Sequence, residues 1–128
     1  MRIAGLDVSK NRIGLAFSDS DCLFIAYETT IIIKGNKLFK QQLEKLFKEY
    51  KPEKTYVGLP FNDRGNSAKF IKFFMQSMRH IIPNFSFIDE DFSTIYSNYL
   101  VDEQIIKDFD SIDSIVAKSI VFNFLKSK

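Results

Sequence analysis

The chain is poor in the residues that usually build a disulfide framework or a histidine-based active site. Of its 128 residues only one is cysteine, Cys22, and only one is histidine, His80. A single thiol cannot close an internal disulfide, so Cys22 reads as a packing or loop residue that suits a reducing compartment. His80 follows an apolar helical stretch and precedes Ile81 and Ile82, a position better suited to a helix C-terminus than to a general base. No apolar run approaches the ~20 residues of a membrane span, and no apolar signal segment follows Met1 and Arg2. These absences predict a cytoplasmic protein with no membrane partner. Neither sign of charge dominates: 18 Lys and Arg against 16 Asp and Glu leave a net charge of +2. That balance is compatible with nucleic acid without requiring it, because a binding groove depends on where the charges lie.

What the chain does have is apolar and aromatic mass. A hydrophobic fraction of 45%, with fourteen phenylalanines, predicts a globular protein with an aromatic-rich core. At this length residues 1–128 are expected to form a single domain. Met1 to Leu6, Arg12 to Ser18 and Phe24 to Ile33 are apolar or β-branched runs separated by short polar turns, and they predict an antiparallel meander of three strands. Gly35 and Asn36 stop the third. From Lys37 to Lys51 apolar residues recur at helical spacing, including Leu38, Phe39, Leu43 and Phe47, with lysines opposite, and Pro52 ends the helix. Thr55 to Leu59 reads as a short buried strand, and Pro60 to Asn66 as a loop. Ser67 to Ile82 reads as a second helix, dense in Phe70, Ile71, Phe73, Phe74, Met75 and Met78. Phe85 to Ile88 is a fifth strand. Two further helices are expected, one over Thr94 to Ile106 and one from Asp110 or Ser111 to about Leu125.

The order β-β-β-α-β-α-β-α-α predicts an α/β fold. Its mixed five-stranded sheet would have three antiparallel strands and two crossover strands parallel to the first, flanked by helices. In such sheets the working crevice lies at the carboxyl ends of the parallel strands. Asp7 and Glu90 both fall at such ends. Asp113, one helical turn before Ala117, would reach the same edge if the last helix packs Ala117 on the sheet. Three carboxylates converging without histidine or cysteine point to magnesium-dependent phosphodiester chemistry. Magnesium takes hard oxygen ligands and commonly shares them with substrate phosphates, and two ions about 4 Å apart can serve an in-line displacement. Each acid has a plainer reading, since Asp is common in turns and caps, and Glu90 lies within the solvated-looking run Asp89, Glu90, Asp91. Asp110, three residues before Asp113, reads as a helix N-cap or as a fourth acid at the site.

The segments GLDVSKNRIGLAFSD, VGLPFNDRGN, FIDEDFST and IDSIVAKSIV resemble, in order and spacing, four motifs of the YqgF-type family. The resemblance covers nearly the whole chain. It implies a ribonuclease H-like fold related to Holliday junction resolvases, and a nuclease that matures the 5′ end of pre-16S ribosomal RNA. Carried over position by position, it implies that Asp7, Glu90 and Asp113 are catalytic and hold Mg2+ or Mn2+, with Asp110 as a further candidate. It also implies that Arg12, Asn62 and Gly65 contact nucleic acid, RNA in the first place and DNA as the alternative. The chain departs from the family pattern at Ser9, where the family has glycine, and at Asp91, where it has arginine. The second change reverses a charge beside the proposed site. A catalytically silent nucleic-acid-binding module and a resolvase of branched DNA are therefore the competing functions, as a monomer or a homodimer. A kinase-like nucleotide clamp would need a second domain.

Overall fold

A strand buried on both faces belongs in the middle of a sheet, and every residue of β1 (Ile3–Val8) is buried. The computed structural model describes residues 2–21, 24–59 and 67–89. Within them β1 is followed by β2 (Arg12–Ser18), β3 (Ile25–Ile32), α1 (Phe39–Tyr50), β4 (Lys54–Leu59), α2 (Ser67–Ser77) and β5 (Phe85–Asp89). The strands form one sheet in the order β3-β2-β1-β4-β5. β1 pairs antiparallel with β2 and parallel with β4; β2 and β3 are antiparallel, β4 and β5 parallel. This is the mixed sheet expected from the sequence, a ribonuclease H-like arrangement. Among the described residues no helix is long and apolar enough to cross a membrane. The two helices expected beyond Thr94 lie outside the described residues.

Side chains alternate across a strand, and the alternation here sorts the sheet into two unlike faces. On one, Ala4, Leu6 and Val8 join Ile13, Leu15, Phe17, Val57 and Leu59, and this layer packs on Leu43 of α1 and on Ile71, Phe74 and Met75 of α2. Phe17 stands at the centre of an aromatic group. Its ring stacks on Tyr50 at 4.7 Å and meets Phe47 edge-on at 5.3 Å, and Tyr50 in turn stacks on Tyr27 at 5.4 Å. The Arg2 guanidinium lies 5.2 Å from the Tyr50 ring centre and donates a hydrogen bond to the Tyr50 carbonyl at 3.1 Å. Burying a ring such as Phe17 contributes roughly 1.5–3 kcal/mol, and the off-parallel contacts add to it.

Several boundaries differ from those expected, each for a local reason. β1 runs on to Val8, so Asp7 lies inside the strand rather than closing it, because Val8 pairs with Ile13 and buries its side chain in the core. α1 begins at Phe39, not Lys37, since Asn36 Oδ1 accepts the Leu38 N–H at 2.9 Å and holds a turn before the helix. Leu38, expected to be apolar packing, is 57% exposed. α1 ends where Lys51 adopts φ 47° and donates its N–H to the Phe47 carbonyl, a left-handed cap that Pro52 makes final. α2 ends at Ser77, short of Ile82. Ser77 Oγ donates to the Phe74 carbonyl at 2.6 Å, competing with the helical ladder, and the chain tightens into Met78 N–H to Met75 and Ile81 N–H to Met78. Phe73, counted with the core phenylalanines, is 76% exposed. One hundred degrees per residue turns it away from the Ile71, Phe74, Met78 stripe.

The meander is closed by one buried hydroxyl. The β2–β3 register shifts between Phe17 and Ser18. There Ser18 Oγ, fully buried, accepts the Ile3 N–H at 2.9 Å and donates to the Asp19 carbonyl at 2.9 Å. Ser18→Ala leaves the Ile3 N–H without that acceptor, and an unmet buried donor costs about 1–3 kcal/mol. A thermal melt should fall by several degrees for a domain of this size; a melt within one degree of the parent would show that Ile3 has another acceptor.

Candidate functional site

Asp7 occupies the second face of the sheet, opposite the helices, because it alternates with Leu6 and Val8. Its side chain is only 8% exposed. A carboxylate held that far from water is stable only with compensating partners, and Asp7 has interactions beyond the strand ladder. The neighbouring strands leave room for them. Across from Asp7 on β2 stands Gly14, and the β1–β4 register, which pairs Leu6 with Val57, puts Gly58 alongside when carried one residue on. Two glycines flank the carboxylate, so the neighbouring strands put no side chain beside it, although both positions are themselves buried. One row back, Gly5 lies between Ala16 and Tyr56. Burial pushes the Tyr56 phenol above its ordinary pKa, so it stays a neutral hydroxyl at physiological pH.

Arg12 begins β2 two residues before Gly14, which places it on the Asp7 face, diagonal to Asp7 and at the exposed rim. The turn that leads to it is clamped. Ser9 N–H donates to the Arg12 carbonyl at 2.9 Å, the Ser9 hydroxyl donates to the same oxygen at 3.0 Å, and the Arg12 N–H donates back to Ser9 Oγ at 3.2 Å. Ser9 stands where the resembled family has glycine, yet it keeps a negative φ, for Lys51 is the one non-glycine with positive φ among the described residues. The departure costs no backbone strain and adds a hydroxyl that fixes the turn. Asp19, another motif residue, closes the next hairpin: its N–H donates to the Phe24 carbonyl at 2.8 Å and its carboxylate accepts the Phe24 N–H at 3.3 Å.

The other expected site residues, Glu90, Asp110, Asp113, Asn62 and Gly65, lie outside the described residues, as does Asp91. What the structure does supply is the edge they were expected to share. β1, β4 and β5 run parallel, so Val8, Leu59 and Asp89 end at the same side of the sheet, and Glu90 follows Asp89 in the chain. Among the described residues no three acids, histidines or cysteines gather into a metal-binding group. Asp7 by itself fits a hard divalent cation as one ligand, being a buried oxygen donor with glycine on either side. Sequence reasoning identified Asp7 and Arg12 but not the flanking space, which only strand register reveals. It also missed the exposure of Phe73.

Comparison with known proteins agrees with the geometry. A family model described as RuvX, Holliday junction resolvase, matches residues 1–127. A relative from Sulfurihydrogenibium sp. is 31% identical over 131 aligned positions, covering 97% of this chain and 89% of its own. One from Mycoplasmopsis synoviae is 29% identical over 133 positions, covering 98% and 97%. Both are described as candidate pre-16S rRNA nucleases. Among solved structures, Thermus thermophilus RuvC in complex with a Holliday junction superimposes with a TM-score of 0.73 at 11% identity, covering 99% of this chain and 94% of that one. The fowlpox virus Holliday junction resolvase gives 0.54 at 12% identity. At these identities the two structures speak for the fold alone. The family match, spanning all but the last residue, speaks for kinship: the chain belongs to the RuvX family of Holliday junction resolvases.

Proposed function

We propose that residues 1–128 form one nuclease domain that hydrolyses phosphodiester bonds in a ribosomal RNA precursor, at the 5′ end of pre-16S rRNA, with a divalent metal. The observation that carries this reading is the Asp7 carboxylate, buried on the central strand and opposite Gly14 in a chain matched over 1–127 to a nuclease family. The names of the full-length relatives supply the RNA substrate.

Asp7, Glu90 and Asp113 would hold Mg2+ or Mn2+, with Asp110 as a fourth oxygen donor. When bound, such an ion supplies Lewis acidity toward a phosphoryl oxygen and a water acidic enough to attack phosphorus at neutral pH. The chain's own residues arrange the rest. Gly14, which has no side chain, would let a phosphate come close to Asp7. Arg12, presented at the rim by the Ser9 clamp, offers a planar fork of donors to the substrate backbone. Asn62 and Gly65 would add contacts from the segment between β4 and α2. Hydrolysis breaks one P–O bond, and the departing oxygen takes up a proton.

Labelled single-stranded RNA, duplex DNA and a four-way junction, each with magnesium, manganese or EDTA, decide between RNA and branched DNA as substrate. Metal-dependent cleavage of RNA is expected. Asp7→Asn keeps the shape of the side chain and removes the charge. It should lower cleavage by about 100-fold or more, since losing even an outer partner of a metal ligand costs 10- to 100-fold. Undiminished turnover would remove Asp7 from the mechanism.

Grouped carboxylates repel one another without metal, so Asp7→Asn should raise the melting temperature in EDTA. Magnesium at ten times its dissociation constant should add about 1.4 kcal/mol to the parent, a shift of a few degrees. The variant should show almost none of it. Equal shifts in both proteins would put the ion elsewhere.

Asp91, where the family has arginine, motivates the silent-module reading. If Asp91 faces incoming phosphate, Asp91→Arg should tighten RNA binding and steepen the salt dependence by about 0.7 to 0.9. An unchanged slope in a binding titration would show that residue 91 makes no phosphate contact.

A further inference from the structure

α2 presents two faces of opposite character. Ile71, Phe74 and Met75 are buried in the core, whereas Lys69, Lys72, Phe73 and Gln76 are exposed, Phe73 to 76%. Residues three and four apart are neighbours on a helix surface, so 69, 72, 73 and 76 form one continuous patch, with Lys69 one turn from both Lys72 and Phe73. The helix, SAKFIKFFMQS, holds no acidic residue. Glu44 of α1 is occupied by Lys48 at 2.9 Å. The patch is therefore cationic and aromatic. Its place in the fold matters as well, because α2 connects the parallel strands β4 and β5 and so starts at the sheet edge where their carboxyl ends and that of β1 lie.

We propose that this face of α2 binds single-stranded RNA, with Phe73 stacking on a base and Lys69 and Lys72 contacting the flanking phosphates. The inference rests on the nuclease reading and names a surface on which the substrate strand lies. Every base has a π face, so an aromatic ring with cations beside it holds a single strand without regard to sequence. A second copy of the chain fits the patch less well. A two-fold contact would set Lys69 and Lys72 against their own counterparts, and opposed like charges disfavour such an interface. An RNA strand brings charge of the complementary sign.

The test uses the full chain in EDTA, so that binding is separated from cleavage, and a labelled oligoribonucleotide of about 12 residues, a length within the range of single-strand sites. Anisotropy is read from about 50 to 200 mM salt, the span over which phosphate contacts are lost. Phe73→Ala and Phe73→Leu should each weaken binding about five-fold or more with an unchanged salt slope, since both remove the π face. Lys69→Gln and Lys72→Gln should each reduce the slope by about 0.7. Parent-like affinity in Phe73→Leu, or no measurable binding by the parent at the lowest salt, overturns the proposal. So does sedimentation showing a parent dimer that Phe73→Ala dissociates, which would assign the face to a second copy. Magnesium-dependent cleavage by the parent, together with unaltered binding by the variants, would leave the nuclease reading standing and remove this one. Binding lost in the variants with no cleavage by the parent would do the reverse.

Discussion

The two-residue alternation of β1 is the constraint on which the rest of the molecule depends. Ala4, Leu6 and Val8 enter the helix-side core, and Gly5 and Asp7 take the other face. A slip of one residue in the β1–β2 pairing would move Asp7 into an apolar layer beneath α1 and α2 and expel three core side chains. Burying a carboxylate there without partners would cost several kcal/mol. The apolar residues therefore do more than stabilise the sheet: they determine where the charge stands. Core packing and site geometry are the same register decision seen from opposite faces.

The remaining structure protects that register. Parallel pairing on one side and antiparallel pairing on the other leave β1 no edge, and the bulge beside Ser18 is tied back to Ile3 at the start of the strand. At the other end the Ser9 clamp holds the turn that leads into Arg12. Both devices are hydroxyl groups bonded to backbone, short-range and directional, at the two ends of one hairpin. Between them the aromatic stack of Phe17, Tyr50 and Tyr27 joins the hairpin to α1. Rigid elements position a group more closely than loops do, and Asp7 sits on the central, wholly buried strand.

The acidic site and the cationic helix face would divide the work of a nuclease between them. A carboxylate cluster that attracts metal repels the phosphate it must cut, so affinity for the substrate has to come from elsewhere. Lys69, Lys72 and Phe73 lie on a helix that begins at the same sheet edge, where they would hold a strand without adding charge to the proposed metal site. The small net charge of +2 would conceal such a separation, because composition sums what the fold keeps apart.

Much of the architecture was legible in the residues. The β-branched runs, the turn residues between them, Pro52 after α1 and the helical spacing of Leu43 and Phe47 were enough to predict the mixed sheet of three antiparallel strands and two parallel to the first, because period-two and period-3.6 patterns are local properties of the chain. Asp7 and Arg12 were also legible, as motif residues. Other features were settled only by the assembled sheet. That Asp7 lies within β1 rather than after it depended on Val8 finding Ile13. That two glycines flank it depended on strand register. That Phe73 points to water while Phe74 is buried depended on which stripe of α2 met the sheet, and a phenylalanine-rich helix offers more than one. Sequence determines which residues can be buried; only the packed structure decides which are, because burial is shared among elements far apart in the chain and no local pattern records its outcome.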